Sequence, residues 1–186
     1  MVTILSLWMP IVLSAVAVFV VSSLIHMVLS YHQTDFKGLP DEARAMDALR
    51  PLAIPPGEYI MPFAKSNEER KSPEFAAKVK QGPIGFLNFL PGGSFGMGPA
   101  LAQWFGYSLV VGIVVAYLLS RFLSPGTGYL DVFRFAGTVA FAAYAMALWQ
   151  NSIWYKRSWS TTLKSTFDGL VYALVTAGIF GWQWPA

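Results

Sequence analysis

The chain has 186 residues, 55% of them hydrophobic and only 12% charged, with 7 Trp, 8 Tyr and 14 Phe. A soluble domain carries about a quarter charged residues, so this composition indicates an integral membrane protein. The net charge of +3 implies no nucleic-acid partner, and the lack of cysteine excludes disulfides, thiolate metal sites and a cysteine nucleophile.

A hydrocarbon core of roughly 30 Å needs about 20 apolar residues of helix, and four segments meet that requirement. The first, about 4–29, contains no Asp, Glu, Lys or Arg. It lacks the basic start and small-residue cleavage site of a signal peptide, which makes it an uncleaved span.

A polar insert follows at about 31–81. Residues 35–80 hold eight of the 13 basic and eight of the 10 acidic residues, a balanced distribution and not a basic binding face. Pro40-Asp41-Glu42 ahead of Ala43, Met46 and Leu49, with Pro51 as a stop, predicts a short helix. Ser72-Pro73-Glu74 opens a second, with Phe75 and Val79 on one face and Gly82 as its end. Between them Pro55-Pro56-Gly57 reads as a turn, and 59–63 as extended and apolar.

Residues 82–98 hold six glycines among Phe86, Leu87, Phe89, Leu90, Phe95 and Met97. That is too interrupted to span, and it reads as an interfacial or shallow re-entrant segment. Further spans are predicted at about 101–119, 132–149 and 167–184. The expected fold is therefore an all-α, four-helix transmembrane bundle, a single membrane domain over 1–186, with short helices and loops between the first two spans.

Positive residues near the spans set the orientation. Lys37, Arg44, Arg50, Lys80, Lys156, Arg157 and Lys164 lie on one side, and only Arg121 and Arg134 on the other. This puts the insert (31–100) in the cytoplasm and both termini outside. Low lysine and high alanine suggest a bacterial inner membrane.

Helices in lipid associate where small residues let their backbones approach. Gly169, Ala173, Ala177 and Gly181 recur every four residues in the fourth span, and Gly98, Ala102 and Gly106 do so at the start of the second. The third offers Ala136, Ala140, Ala143 and Ala147. These faces are expected to pack within the bundle or against a second copy or another protein.

An ionisable group inside a membrane is expensive to bury and marks a candidate site. His26 lies about one turn inside the first span, with Ser22 and Ser30 on its face, and Asp168 lies at similar depth in the fourth. Asn151 and Gln103 fall at the same level, so a polar cluster of His26, Asp168, Asn151, Gln103, Ser22 and Ser30 is expected. It is either a hydrogen-bonded structural cluster, with Asp168 paired to Lys164 one turn earlier, or a small-molecule or proton-handling site.

No metal or cofactor is expected. His26 and His32 would point about 240° apart on one helix, and His32 with Asp35 reads as a solvated surface pair. Gly92-Gly93-Ser94-Phe95-Gly96 matches the nucleophile elbow of serine hydrolases, but the chain has no room for the sheet that elbow needs. Only proximity of Ser94 to His26 would reopen that reading, so no catalytic residue is assigned. The leading expectation is a non-catalytic accessory or scaffold subunit surrounded by lipids and bound to a partner. The alternative is a small transporter or membrane enzyme acting on a lipid-like or quinone-like molecule at a His26/Asp168 site.

Overall fold

The computed structural model describes residues 2–93 and 96–186. In chain order the elements are α1 (Trp8–Met27), α2 (Glu42–Leu49), β1 (Gly57–Met61), α3 (Asn67–Arg70), α4 (Pro73–Gln81), β2 (Gly85–Phe89), α5 (Met97–Phe122), α6 (Tyr129–Tyr144), α7 (Trp149–Tyr155) and α8 (Trp159–Trp182). They form two compact units, one made of the residues through Lys37 and from Met97 onward, the other of Gly38–Gly96.

The first unit holds four helices long and apolar enough to cross a membrane: Leu5–Met27, Met97–Phe122, Tyr129–Tyr155 and Trp159–Trp182. Along α1 the buried residues Ile11, Ser14, Ala15, Val18, Ser22 and Ile25 recur at spacings of one, three and four. The opposite face exposes Val12, Val16, Val20 and Leu24. A helix apolar on both faces suits a lipid surround, not water.

Helix α8 begins at Trp159, well before the apolar run that hydropathy marks. Its first turns are rich in hydroxyls, and Ser165 and Thr166 donate to the carbonyls of Thr161 and Thr162 (3.0 and 2.8 Å). A hydroxyl bonded one turn back costs a membrane helix little, which is how the polar turns continue it. The third span is broken: α6 ends at Tyr144, a 3₁₀ turn spans Met146–Leu148, and α7 resumes at Trp149. Tyr107 of α5 donates to the Ala143 carbonyl in the last turn before that break (2.7 Å).

Helix α8 lies against α6 and α1, and α5 lies against α1 and α6. The small residues of α8 make the α6 contact. A Cβ on Gly169 would sit 2.9 Å from the Ala145 Cβ, and one on Gly181 would sit 2.8 Å from the Tyr129 ring. Ala177 faces Gly137, and Ala173 and Ala177 are buried. The small residues at the start of the second span do not make a close contact within the bundle. Gly98 and Ala102 are exposed, and a Cβ on Gly98 or Gly106 would meet nothing within 4 Å among the described residues. The close approach of α5 to α1 comes further along at Gly112, whose Cβ would lie 3.3 Å from Ile11.

In the second unit, Asp41 caps α2 by accepting from the Arg44 amide, and Ser72 caps α4 by accepting from the Phe75 amide (both 3.1 Å). Gly82, at φ +64°, ends α4 in the left-handed region that glycine enters at no cost. Strands β1 and β2 pair antiparallel, with Gly57 opposite Phe89, Tyr59 opposite Leu87 and Met61 opposite Gly85. This two-stranded sheet is an addition to the short helices and loops expected of the insert, in a chain that is otherwise mostly helical. Within the Gly-rich segment 82–98, residues Gly85–Phe89 are a strand. Its partner is distant in sequence, so no local pattern announced the pairing. Among its described residues, this unit contains no fully buried side chain.

Candidate functional site

The candidate site begins where α1 stops. The helix ends at Met27, and a 3₁₀ turn at Tyr31–Thr34 brings the chain back toward α8. His32 is therefore not on the α1 helical wheel. Its ring stacks on that of His26, with centroids 4.5 Å apart and planes 7° from parallel. The 240° separation expected for one continuous helix does not apply.

Asp168 is buried in α8, 3% exposed. It accepts from Tyr31 Oη and from His32 Nε2, the latter at 2.8 Å. The partner of Asp168 is thus His32, neither His26 nor Lys164. Lys164 spends its three donors elsewhere, on the Tyr31 carbonyl (2.5 Å), Thr34 Oγ1 (2.8 Å) and Asp35 Oδ1 (2.9 Å). His32 Nδ1 lies 2.7 Å from Asp35 Oδ2, so both nitrogens of His32 face carboxylates, and a hydrogen on each satisfies both. Two carboxylates, one ammonium and one imidazolium leave the network electrically balanced, as burial requires.

Burial alone would raise the Asp35 carboxyl. The hydrogen bonds from His32 and Lys164, with their charges, outweigh it and hold the group below the usual aspartate value. Burial first, then the bond to Asp168 and the charges of Asp168 and Asp35, push the Tyr31 hydroxyl up, so it remains a donor. Far from a solvated surface pair, His32 and Asp35 have side chains only 12% and 9% exposed.

His26 Nδ1 lies 2.9 Å from the Ser22 carbonyl. Ser22 Oγ donates to the Phe19 carbonyl (2.9 Å) and accepts from Trp104 Nε1 of α5 (2.8 Å). Of the other expected members of the cluster, Ser30 and Gln103 are exposed and Asn151 is half-buried. Ser30 follows the end of α1, so it no longer shares the face of His26. On α5 it is Trp104, not Gln103, that turns inward.

Ligand atoms of His26, His32 and Asp168 come within 4.8 Å of one another, close enough to raise a metal site. A cation binds an imidazole in the ring plane at about 2.1 Å. Two nearly parallel rings 4.5 Å apart share no such point. The geometry holds a proton between His32 and Asp168, and a metal would require His26 to leave the stack.

Beside this network lies a cavity of about 570 Å³, a size suited to a small ligand. Ser22, His26 and Asp168 supply polar lining, and Met27, Met97, Leu101 and Leu148 supply apolar lining. Tyr107, Trp104, Tyr172 and Tyr144 form a continuous aromatic wall, neighbouring rings lying 5.6–6.1 Å apart. The Tyr172 hydroxyl is buried on this wall and has no hydrogen-bond partner among the described residues. The break after α6 borders the same space, through Tyr144, Ala147 and Leu148.

Sequence reasoning found His26 and Asp168 and missed Tyr31, His32, Trp104 and Tyr172 as members. The one available signal was the Tyr31-His32 pair with Asp35 just beyond an apolar span. Ser94 and Phe95 lie outside the described residues. Comparison with family models, with curated proteins and with solved structures finds no match to this chain.

Proposed function

We propose that this multi-pass membrane protein holds an amphipathic, lipid-like or quinone-like molecule, as a small transporter or membrane enzyme would. The tail lies along the apolar lining and the head at His26 and Asp168. The observation that carries this reading is the combination of a largely apolar cavity with a few polar groups, His26 and Asp168 among them, in its lining, the usual build of a small-molecule site. The low lysine and high alanine content supports a bacterial inner membrane, and the charge distribution supports a cytoplasmic insert with both termini outside.

Photolabelling in lipid nanodiscs tests the reading, using a long-chain alcohol that carries a diazirine. Label should concentrate on Leu101, Trp104 and Leu148, and Ala143→Phe, which fills the cavity, should remove it. Label spread evenly over the lipid-facing surface and indifferent to Ala143→Phe refutes the proposal.

A second reading, an accessory or scaffold subunit, draws on a separate observation. Gly98 and Ala102 present small exposed residues, with no neighbour over Gly98 among the described residues, a face suited to another membrane helix. Native mass spectrometry of the gently solubilised protein tests it. A lone monomer, unchanged by Gly98→Leu, counts against it.

A further inference from the structure

Resting on the cavity reading above, we infer that the head of the bound molecule is a phenolic hydroxyl, of the kind a hydroquinone carries, donated to His26 Nε2. The Ser22 carbonyl can only accept. His26 Nδ1, 2.9 Å from it, therefore carries the hydrogen. His32 already bears hydrogen toward both Asp35 and Asp168, and a second imidazolium stacked at 4.5 Å would be repelled. His26 is thus the neutral tautomer whose Nε2 has a lone pair, and no described residue occupies it.

Asp168, the other ionisable group on the cavity, is also an acceptor, each of its oxygens already holding one bond. A ligand carbonyl could accept from Tyr172, but at His26 Nε2 it would set lone pair against lone pair. A ligand hydroxyl supplies the donor that His26 lacks, and its own oxygen can accept from Tyr172. That phenol is 4% exposed, lies one turn along α8 from Asp168, and has no partner among the described residues. A buried hydroxyl without a partner is costly, and a ligand oxygen removes the cost. Trp104, Tyr107, Tyr144 and Tyr172 provide flat faces against which an aromatic head stacks better than a saturated one.

The test is retention of three tritiated probes by the full chain in nanodiscs, corrected with empty nanodiscs. The probes are a long-tailed hydroquinone kept reduced, the quinone of the same ring and tail, and a saturated alcohol of equal length. The hydroquinone is expected to bind about tenfold tighter than the quinone, the worth of one hydrogen bond made against one opposed. It should also bind more tightly than the alcohol.

His26→Phe should bring hydroquinone and quinone to equal affinity, and His26→Gln, which keeps an acceptor, should retain part of the preference. Tyr172→Phe should weaken the hydroquinone several-fold without unfolding the protein. Equal binding of hydroquinone and quinone by the unaltered protein, or a preference that survives His26→Phe, overturns the head assignment and leaves the cavity reading standing. An alcohol that binds as tightly as the hydroquinone overturns the aromatic part. Failure of all three probes to bind overturns the cavity reading itself.

Discussion

Gly169→Ala and Gly178→Ala make the same chemical change within α8 and should move stability in opposite directions. Each replaces glycine by the best helix former, a gain of up to about 1 kcal/mol that is common to both. At Gly178 the new methyl would meet only Tyr129 Oη at 3.8 Å, an ordinary contact. At Gly169 it would lie 2.9 Å from the Ala145 Cβ and 3.3 Å from the Ala145 Cα, where carbon atoms rest at about 3.5–4.0 Å. Ala145 is fully buried and part of the contact is backbone, so neither side can rotate away. The helices must separate, and overpacking of this kind costs roughly 1–3 kcal/mol. The propensity gain cancels in the comparison, leaving Gly169→Ala about 2 kcal/mol less stable than Gly178→Ala. Reversible unfolding in mixed micelles by added SDS, followed by helical circular dichroism, measures the difference. Ala145→Gly should restore most of the loss. Equal stabilities, or no rescue by Ala145→Gly, would refute the packing argument.

Two further outcomes concern the polar network. Asp168→Asn and His32→Gln should each destabilise by about 3 kcal/mol, because each leaves a buried charge without its partner. The double variant should cost at least about 1 kcal/mol less than their sum, and additivity within about 0.5 kcal/mol in the same assay would show the two are not coupled. Asp35, facing His32 and Lys164, is held below the usual 3.8 in the native protein. Its contribution is complete above that value and disappears as pH falls through the lower native one. Asp35→Asn should therefore flatten the acid limb of the stability profile below about pH 4, and a limb of unchanged slope would count against the pairing.

The four membrane-length helices were legible because apolar runs of that length have few other uses. The start of α8 was not, since hydropathy counts its hydroxyls as polar while the helix bonds them to its own carbonyls. The break after Tyr144 leaves no trace in composition, because Ala145, Met146 and Leu148 suit an unbroken span equally well. The pairing of β1 and β2 depends on a partner that no local window contains. For the site, His26 and Asp168 stood out as ionisable groups in apolar runs. Their true arrangement follows from one event, the ending of α1 at Met27, which turns His32 back onto His26. A wheel drawn through both residues assumes a helix that has already stopped.

The insert's lack of buried side chains has a consequence for backbone dynamics. Its order comes from caps, turns and one two-stranded sheet, small devices that each open at a cost of a few kcal/mol or less. Amide hydrogens at Glu42–Leu49 and Pro73–Gln81 should therefore exchange with solvent through brief local openings. Those of α6 and α8, closed against each other at Gly137, Gly169 and Gly181, should exchange only when the helices part. The chain thus carries a fast-exchanging polar middle between slow-exchanging ends, and deuterium uptake should divide it near Lys37 and Met97.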